Sequence, residues 1–346
     1  MEKQMTYNVA VVGATGAVGQ QIISLLEERN FPIKELKLLA SARSAGKTVP
    51  FKGKEVVIEE AKPESFEGVD FALFSAGGAI SKVLAPEAAR RGAVVIDNTS
   101  AFRMDPEVPL VVPEVNMHAA HKHNGIIANP NCSTIQMVAA LKPLYDRYGI
   151  DRIIVSTYQA VSGAGASAIN ELLTQSREVL DGKEATANIL PVSKLPVHHQ
   201  IAFNAIPQID VFTENGFTYE EMKMVNETKK IMEDDNILVS ATCVRIPVVY
   251  GHSEAVYVEL KEDYDLAEVK ALLAEAPGVV LQDDPEAQVY PLATDATGKL
   301  DVFVGRVRRD LHHPRGLHLW IVSDNLLKGA AWNTVQIAEE LVKANK

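Results

Sequence analysis

Residues 128–136 read "ANPNCSTIQ" and place one of only two cysteines in the chain where a strand gives way to a helix. The apolar run before it ends near Asn129, Pro130 breaks the strand, and Asn131 is a good helix N-cap. Cys132 is therefore expected in the first turn of a helix, where free backbone amides and the helix dipole favour an anion. A thiol so placed ionises readily and becomes a nucleophile. The same amides could hold an oxyanion on the carbonyl that the thiolate attacks. Cys243, inside the apolar run "ATCVRIPVVY", reads instead as a small buried hydrophobe.

A second chemical signal lies at the start of the chain. "VAVVGATGAVGQQI" sets Gly13, Gly16 and Gly19 directly after an apolar strand and at the start of a helix. Such a loop, Gly13-Ala14-Thr15-Gly16-Ala17-Val18, lets backbone approach a pyrophosphate and aims helix amides at it. Its spacing is G-x-x-G-x-x-G rather than the commoner G-x-G-x-x-G, and a turn without a ligand is the plain alternative. The next strand ends in "ASARSAGK", with Ser41, Arg43 and Ser44 and no acid to accept from a ribose hydroxyl. An arginine and two hydroxyls suit a 2′-phosphate and so favour NADP(H). A merely solvated Arg43 is the bland rival.

A strand-end thiol beside a dinucleotide loop suggests a thioester or thiohemiacetal that exchanges hydride with nicotinamide. That chemistry needs a proton donor and acceptor near sulfur, and nine histidines compete for the role. His252 follows Gly251 at a bend between two strand patterns, where a ring can be held rigidly. His118, His121 and His123 form "HAAHKH", but no carboxylate or cysteine is in phase with them, so a surface helix or loop is expected and no metal site. The histidines of "LHHP" at 311–314 read as loop residues. Pattern alone leaves His252 favoured but not chosen.

The elements that must position these residues change character along the chain. The first third alternates short apolar runs with helical patterns, which implies a parallel sheet covered on both faces. Its strands are read at "YNVAVVGA", "ELKLLAS", "KEVVIEEA", "DFALFSAGG", "AVVIDNTS", "LVVPEVN" and "GIIANPN". From Cys132 to about Tyr148 a helix follows, with Ile135, Val138, Leu141, Tyr145 and Tyr148 on one stripe. Beyond it, "ILVSATCVRIPVVYG" and "HSEAVYVEL" look like paired strands, and strands and helices mix as in an α+β domain. The closing segment "NLLKGAAWNTVQIAEELVKAN" reads as one helix that returns to the first domain. The expected division is 1–130 plus 327–346 against 131–326.

Composition limits the partners. Apolar residues make up 47% and charged residues 23%, as in a soluble globular protein of about two domains. No apolar run approaches the roughly 18 residues of a membrane span, and the N-terminus lacks a signal-peptide pattern. A cytoplasmic protein with free thiols is expected. The net charge of −11, from 34 basic and 45 acidic residues, disfavours nucleic acid but leaves an anionic small substrate open.

"GATGAVG", "LLASARSAGK", "DNTSAFR", "VVPEVN", "NPNCSTIQ", "YQAVSGAG", "RIPVVYGHSEAV" and "SDNLLKGAAWN" together resemble the aspartate-β-semialdehyde dehydrogenases, in order and over nearly the whole chain, and look like the Gram-positive branch. The resemblance implies a Rossmann-type parallel-sheet NADP domain plus an α+β catalytic and dimerisation domain with a mixed, largely antiparallel sheet. It implies NADPH-dependent reductive dephosphorylation of L-aspartyl-β-phosphate to the semialdehyde, on the way to lysine, threonine and methionine, in a homodimer. Carried onto this chain, Cys132 would be the nucleophile, His252 the acid/base, Gln159 an orienting group and Asn131 an aid to the oxyanion. Arg245 would grip the α-carboxylate, Glu220 the α-ammonium, and Arg103 with Lys223 the phosphate. Ser162, Gly163 and Asn325 would lie with the cofactor, Asn325 at its nicotinamide end.

Plainer readings stand beside these. Glu220 and Lys223 are i,i+3 neighbours that could simply pair on a surface, and Thr218 with Glu221 forms a capping box. Arg245 in an apolar strand is harder to explain without an anion. An N-acetyl-γ-glutamyl-phosphate reductase would share fold and thiol, but its substrate has no free ammonium for Glu220. A glyceraldehyde-phosphate type enzyme would show NAD chemistry at the second strand. A non-catalytic NADP-binding regulator would keep the loop without the reaction, and a cysteine peptidase would leave the loop unexplained.

Overall fold

The computed structural model describes residues 5–344. Two compact units emerge, one holding the chain up to Asn131 and again from Ala330, the other holding Cys132–Gly329. The expected cuts fall one residue and three residues earlier.

The first unit runs β1 (Tyr7–Val12), α1 (Ala17–Glu28), β2 (Ile33–Ala40), β3 (Thr48–Phe51), β4 (Lys54–Glu60), β5 (Phe71–Phe74), α2 (Gly78–Arg90), β6 (Val94–Asp97), α3 (Pro113–Ala120) and β7 (Ile126–Ala128). Among the described residues its strands form one sheet in the order β3-β4-β2-β1-β5-β6-β7. Every neighbouring pair is parallel except the β3–β4 hairpin. β1 sits centrally, and Val9 to Val12 are buried with no inside/outside alternation, as a strand covered on both faces requires. Helix α1 turns Ile22, Ile23, Leu25 and Leu26 into the core. "LVVPEVN" is not a strand: Leu110 makes one isolated bridge to Ala128, and Pro113 opens α3. Proline favours the first helical position because its missing N–H has no helical partner there.

The second unit runs α4 (Cys132–Tyr148), β8 (Ile150–Gln159), α5 (Ala166–Leu180), α6 (Tyr219–Met232), β9 (Leu238–Arg245), β10 (His252–Leu260), α7 (Leu266–Glu275), β11 (Val279–Leu281), α8 (Ala293–Ala296), β12 (Val302–Arg309) and β13 (Gly316–Ser323). Its sheet is mixed, in the order β11-β12-β13-β10-β8-β9. β9 and β10, consecutive in sequence, are not paired. β8 lies between them, parallel to β9 and antiparallel to β10. The link from Ile246 to Gly251 is a crossing segment and not a hairpin turn. Alternate residues of β8, among them Ile153, Val155, Thr157 and Gln159, point to a buried face, against which α4 packs. The chain then re-enters the first unit through a single π-helical segment, Leu327–Ala331, and α9 (Trp332–Ala344). The closing helix is thus shorter than the sequence pattern suggests. Among the described residues no helix is long and apolar enough to cross a membrane.

Candidate active site

The buried face of the second sheet carries most of the expected chemistry as cross-strand rows. Gln159 on β8 is in register with Arg245 on β9. The β8–β10 pairing, Ser253 with Tyr158 and Glu254 with Thr157, brings His252 alongside Gln159. Side chains opposite one another on one sheet face are neighbours, so Arg245, Gln159 and His252 form a contiguous polar row. All three are buried. Cys132 is the first residue of α4, partly exposed, and its charge state is felt by the Arg245 guanidinium.

The backbone of one residue holds two members of the row. The Ala160 N–H donates to His252 Nδ1 at 3.0 Å, and the Ala160 carbonyl accepts from Arg245 Nη1 at 2.7 Å. With Nδ1 an acceptor, the ring proton of neutral His252 resides on Nε2. Burial, and next the charge of Arg245, push the His252 pKa down to about 3, against an opposing pull from Glu220. The ring is neutral at ordinary pH. Burial also lowers the pKa of Arg245, offset by Glu220 and then Cys132. Among the described residues no carboxylate forms an ion pair with this guanidinium, which leaves its remaining N–H groups suited to a bidentate anion.

Gln159 is oriented at both ends of its amide. Thr157 donates its hydroxyl to Oε1 at 2.8 Å, and Nε2 donates to Glu220 Oε1 at 3.1 Å while lying 3.5 Å from His252 Nε2. Glu220 is buried in the first turn of α6 and also meets Lys223 at 3.1 Å. Lys223 pairs with Asp210 at 3.1 Å as well. The i,i+3 pair therefore exists, but its acidic member faces Gln159 and is no ordinary surface group. Glu221 is structural: with Thr218 it closes the capping box of α6, and it accepts from the Cys243 amide. Cys243 is fully buried, and burial followed by the charge of Glu220 pushes its thiol pKa up. It is the inert cysteine of the two.

Two glycines shape the space. A Cβ on Gly163 would lie 3.1 Å from Arg245 Nη1 and 3.5 Å from the His252 ring. A Cβ on Gly329 would lie 2.8 Å from the Cys132 Cβ. Ser162 and Asn325 are buried and hydrogen-bond each other, and Asn325 Oδ1 accepts from the Gly251 amide at 3.0 Å. Asn325 thus braces the turn that leads into His252. Ala160 and Gly329 were absent from the expected set. Both act through backbone or through lacking a side chain, which leaves no residue-type signal in the sequence.

The first unit holds the remaining expected residues. Gly13 has φ +87°, and a Cβ there would come within 2.8 Å of the Ser75 carbonyl carbon. A Cβ on Gly19 would approach the Gly13 oxygen to 2.1 Å. The loop is therefore as tight as a phosphate cradle requires. Gly16 is the N-cap of α1, with no side-chain cap and no acid in the first turn. Those amides fit a pyrophosphate. Thr15, Gly16 and Ala17 are exposed, as are Ser41 and Arg43 in the turn after β2, with Ser44 half-buried. Arg103, buried beyond the end of β6, donates Nε to the Asn129 carbonyl at 2.9 Å and Nη2 to the Asn98 carbonyl at 2.8 Å. Asn131 is buried and joins the last strand of this unit to Cys132. The histidines at 118–123 close α3, and His123 accepts from the Gly125 amide. Among the described residues no set of three His, Cys, Asp or Glu could hold a metal ion.

Known proteins match both units. Residues 8–123 match the family described as semialdehyde dehydrogenase, NAD binding domain, and residues 141–328 match semialdehyde dehydrogenase, dimerisation domain. An aspartate-semialdehyde dehydrogenase of Bacillus subtilis is 63% identical over 98% of each chain. The crystal structure of aspartate semialdehyde dehydrogenase II from Vibrio cholerae, complexed with ASA, has a TM-score of 0.93 at 52% identity, covering 98% of this chain and 99% of that one. The aspartate semialdehyde dehydrogenase of Candida albicans with NADP has a TM-score of 0.74 at 27% identity, covering 97% and 98%.

Proposed function

This chain belongs to the aspartate-semialdehyde dehydrogenase family and has that family's oxidoreductase activity, and we propose that it exerts it by reducing L-aspartyl-β-phosphate through a thioacyl group on Cys132. The observation that carries the reading is the row of Arg245, Gln159 and His252 on one sheet face, with Cys132 near enough for charge coupling to Arg245.

The Cys132 thiolate attacks the acyl carbon, the carbon–sulfur bond forms, the anhydride bond from that carbon to the phosphate oxygen breaks, and phosphate leaves with its electron pair. Arg103 and Lys223 neutralise that phosphate. Arg245 clamps the α-carboxylate, Glu220 receives the α-ammonium, and Gln159 aligns the chain between them. The Gly13–Val18 loop, with Arg43, Ser41 and Ser44, would hold NADPH, which would supply the hydride to the thioester carbon. His252 presents Nε2–H to the acyl oxygen, steadies the charge that grows there and manages the proton when the thiolate departs. Ser162 and Asn325 keep the turn into His252 rigid. A buried Glu220 supports a substrate with a free ammonium over an N-acetylated one. We place the enzyme in the cytoplasm, as a homodimer.

The test follows nicotinamide absorbance with aspartate semialdehyde or N-acetylglutamate semialdehyde, each with phosphate and with NADP or NAD. Phosphate-dependent reduction of NADP by the first aldehyde, abolished in Cys132→Ala and nearly so in Cys132→Ser, is expected. Turnover with only the acetylated aldehyde would sink the substrate assignment. An active Cys132→Ala would sink the mechanism.

A further inference from the structure

Beneath the row of Arg245, Gln159 and His252 lies a second one that this reaction does not use. Register places Cys243, Thr157, Glu254 and Ile321 side by side on the buried face. Glu254 is fully buried, and neither of its carboxyl oxygens has a hydrogen-bond partner at ordinary distance. Burial raises its pKa well above the usual carboxylate range, and the Gln136 amide opposes this only in part. The elements around it supply no close cation. β8 presents Thr157 and Gln159, β13 presents Ile321 and Ser323, and α4 presents Gln136. The charged or titratable groups nearby are His252 on its own strand, Cys243 and Arg245 on β9, and Glu220 and Glu221 on α6. A carboxyl in such surroundings keeps its proton.

Gln136 lies four residues after Cys132 on α4 and is also fully buried. Its Nε2 donates to the carbonyls of His252 and Ile321, each at 3.3 Å, and its Oε1 accepts from the Ser323 hydroxyl at 2.7 Å. His252 pairs with Ser323 and Glu254 with Ile321 across β10 and β13. The amide therefore sits over a square whose four corners it touches or adjoins. α4 also buries apolar side chains, among them Ile135, Val138 and Ala139. Apolar packing holds layers together but tolerates small slides, whereas directed hydrogen bonds define one register.

We infer that Gln136, joined by Ser323, is a positioning strut that fixes the Cys132 helix against the His252 strand. This rests on reading Cys132 and His252 as the reacting pair. Gln136 is fully buried and hydrogen-bonds none of the side chains assigned to bind substrate, so its loss should displace the pair without weakening those groups.

Gln136→Met, which keeps length but removes both polar atoms, should lower kcat about tenfold with KM for aspartate semialdehyde and phosphate within about twofold. Alkylation of Cys132 by iodoacetamide should keep its wild-type rate. Ser323→Ala should lower kcat about threefold, and its double variant with Gln136→Met should lose no more than about twofold beyond Gln136→Met alone. A wild-type kcat in Gln136→Met would overturn the strut. If Gln136→Met does not fold, Ser323→Ala decides: a kcat loss of about threefold at unchanged KM upholds the strut and none removes it. An active Cys132→Ala would instead remove the underlying reading.

Discussion

Because the Ala160 N–H occupies the Nδ1 lone pair, His252 can accept a second proton only by charging a ring that is wholly buried beside Arg245. The residue therefore acts first as a donor through Nε2–H, and the thiolate of Cys132 owes more to its helix start than to an imidazole base. The buried ring also sets a stability cost. Its pKa is about 6.5 when unfolded and falls to about 3 when folded, so the unfolded chain binds the extra proton. Stability from this group is complete above the unfolded value and is lost as pH falls from there towards the folded one. At one unit below the unfolded pKa the loss is about 1.4 kcal/mol. His252→Asn, which cannot titrate, should escape it. Urea unfolding of both proteins at about pH 7.5 and about pH 5.5 should show wild type losing about 1.4 kcal/mol more than the variant. Parallel losses would mean that the ring is not held neutral.

Among the elements, the sheet face converts distant stretches of sequence into adjacent side chains. Local signals were enough for the thiol at the start of α4, for the glycine loop before α1 and for the capping box of α6, because each depends on residues a few positions apart. Arg245 stood out as a charge in an apolar strand. The pairing of β9 with β8 and not with β10 was hidden, since parallel pairing joins residues far apart and carries no turn signature. Gln136 and Glu254 were hidden for the same reason. In "HSEAVYVEL" the glutamate looks like any polar residue of an alternating strand until register shows which face is buried. Gly163 was expected beside the cofactor only on the family resemblance, and its closeness to Arg245 and His252 was not legible. Its φ lies outside the left-handed region, so an added methyl would meet only side chains. Gly163→Ala should raise KM for aspartate semialdehyde about tenfold while the melting temperature stays near wild type. An unchanged KM would show that the site lies elsewhere on the sheet.

At the scale of the whole molecule, the second sheet is covered unequally. α4, α6 and α7 pack on its buried side, while α8 reaches the β13 end of the other. That other side displays Ile154, largely exposed, with Tyr158, Tyr257 and Trp320 half-buried. The Tyr158 and Trp320 rings meet at 5.6 Å. An aromatic and aliphatic sheet face of this kind is costly to leave in water and is typical of a surface that meets a partner. The match of residues 141–328 to a dimerisation domain points to a second copy of the chain. Each protomer carries a net charge of −11, so association must overcome long-range repulsion, and added salt should favour it by screening. Ile154→Lys puts a charge and its image across a twofold axis onto this face. Sedimentation velocity should find wild type dimeric at micromolar concentration and Ile154→Lys weakened at least about tenfold in dimer affinity. The weakening should be greatest at low salt. A monomeric wild type would remove the dimer, and a variant as dimeric as wild type would move the interface off this face.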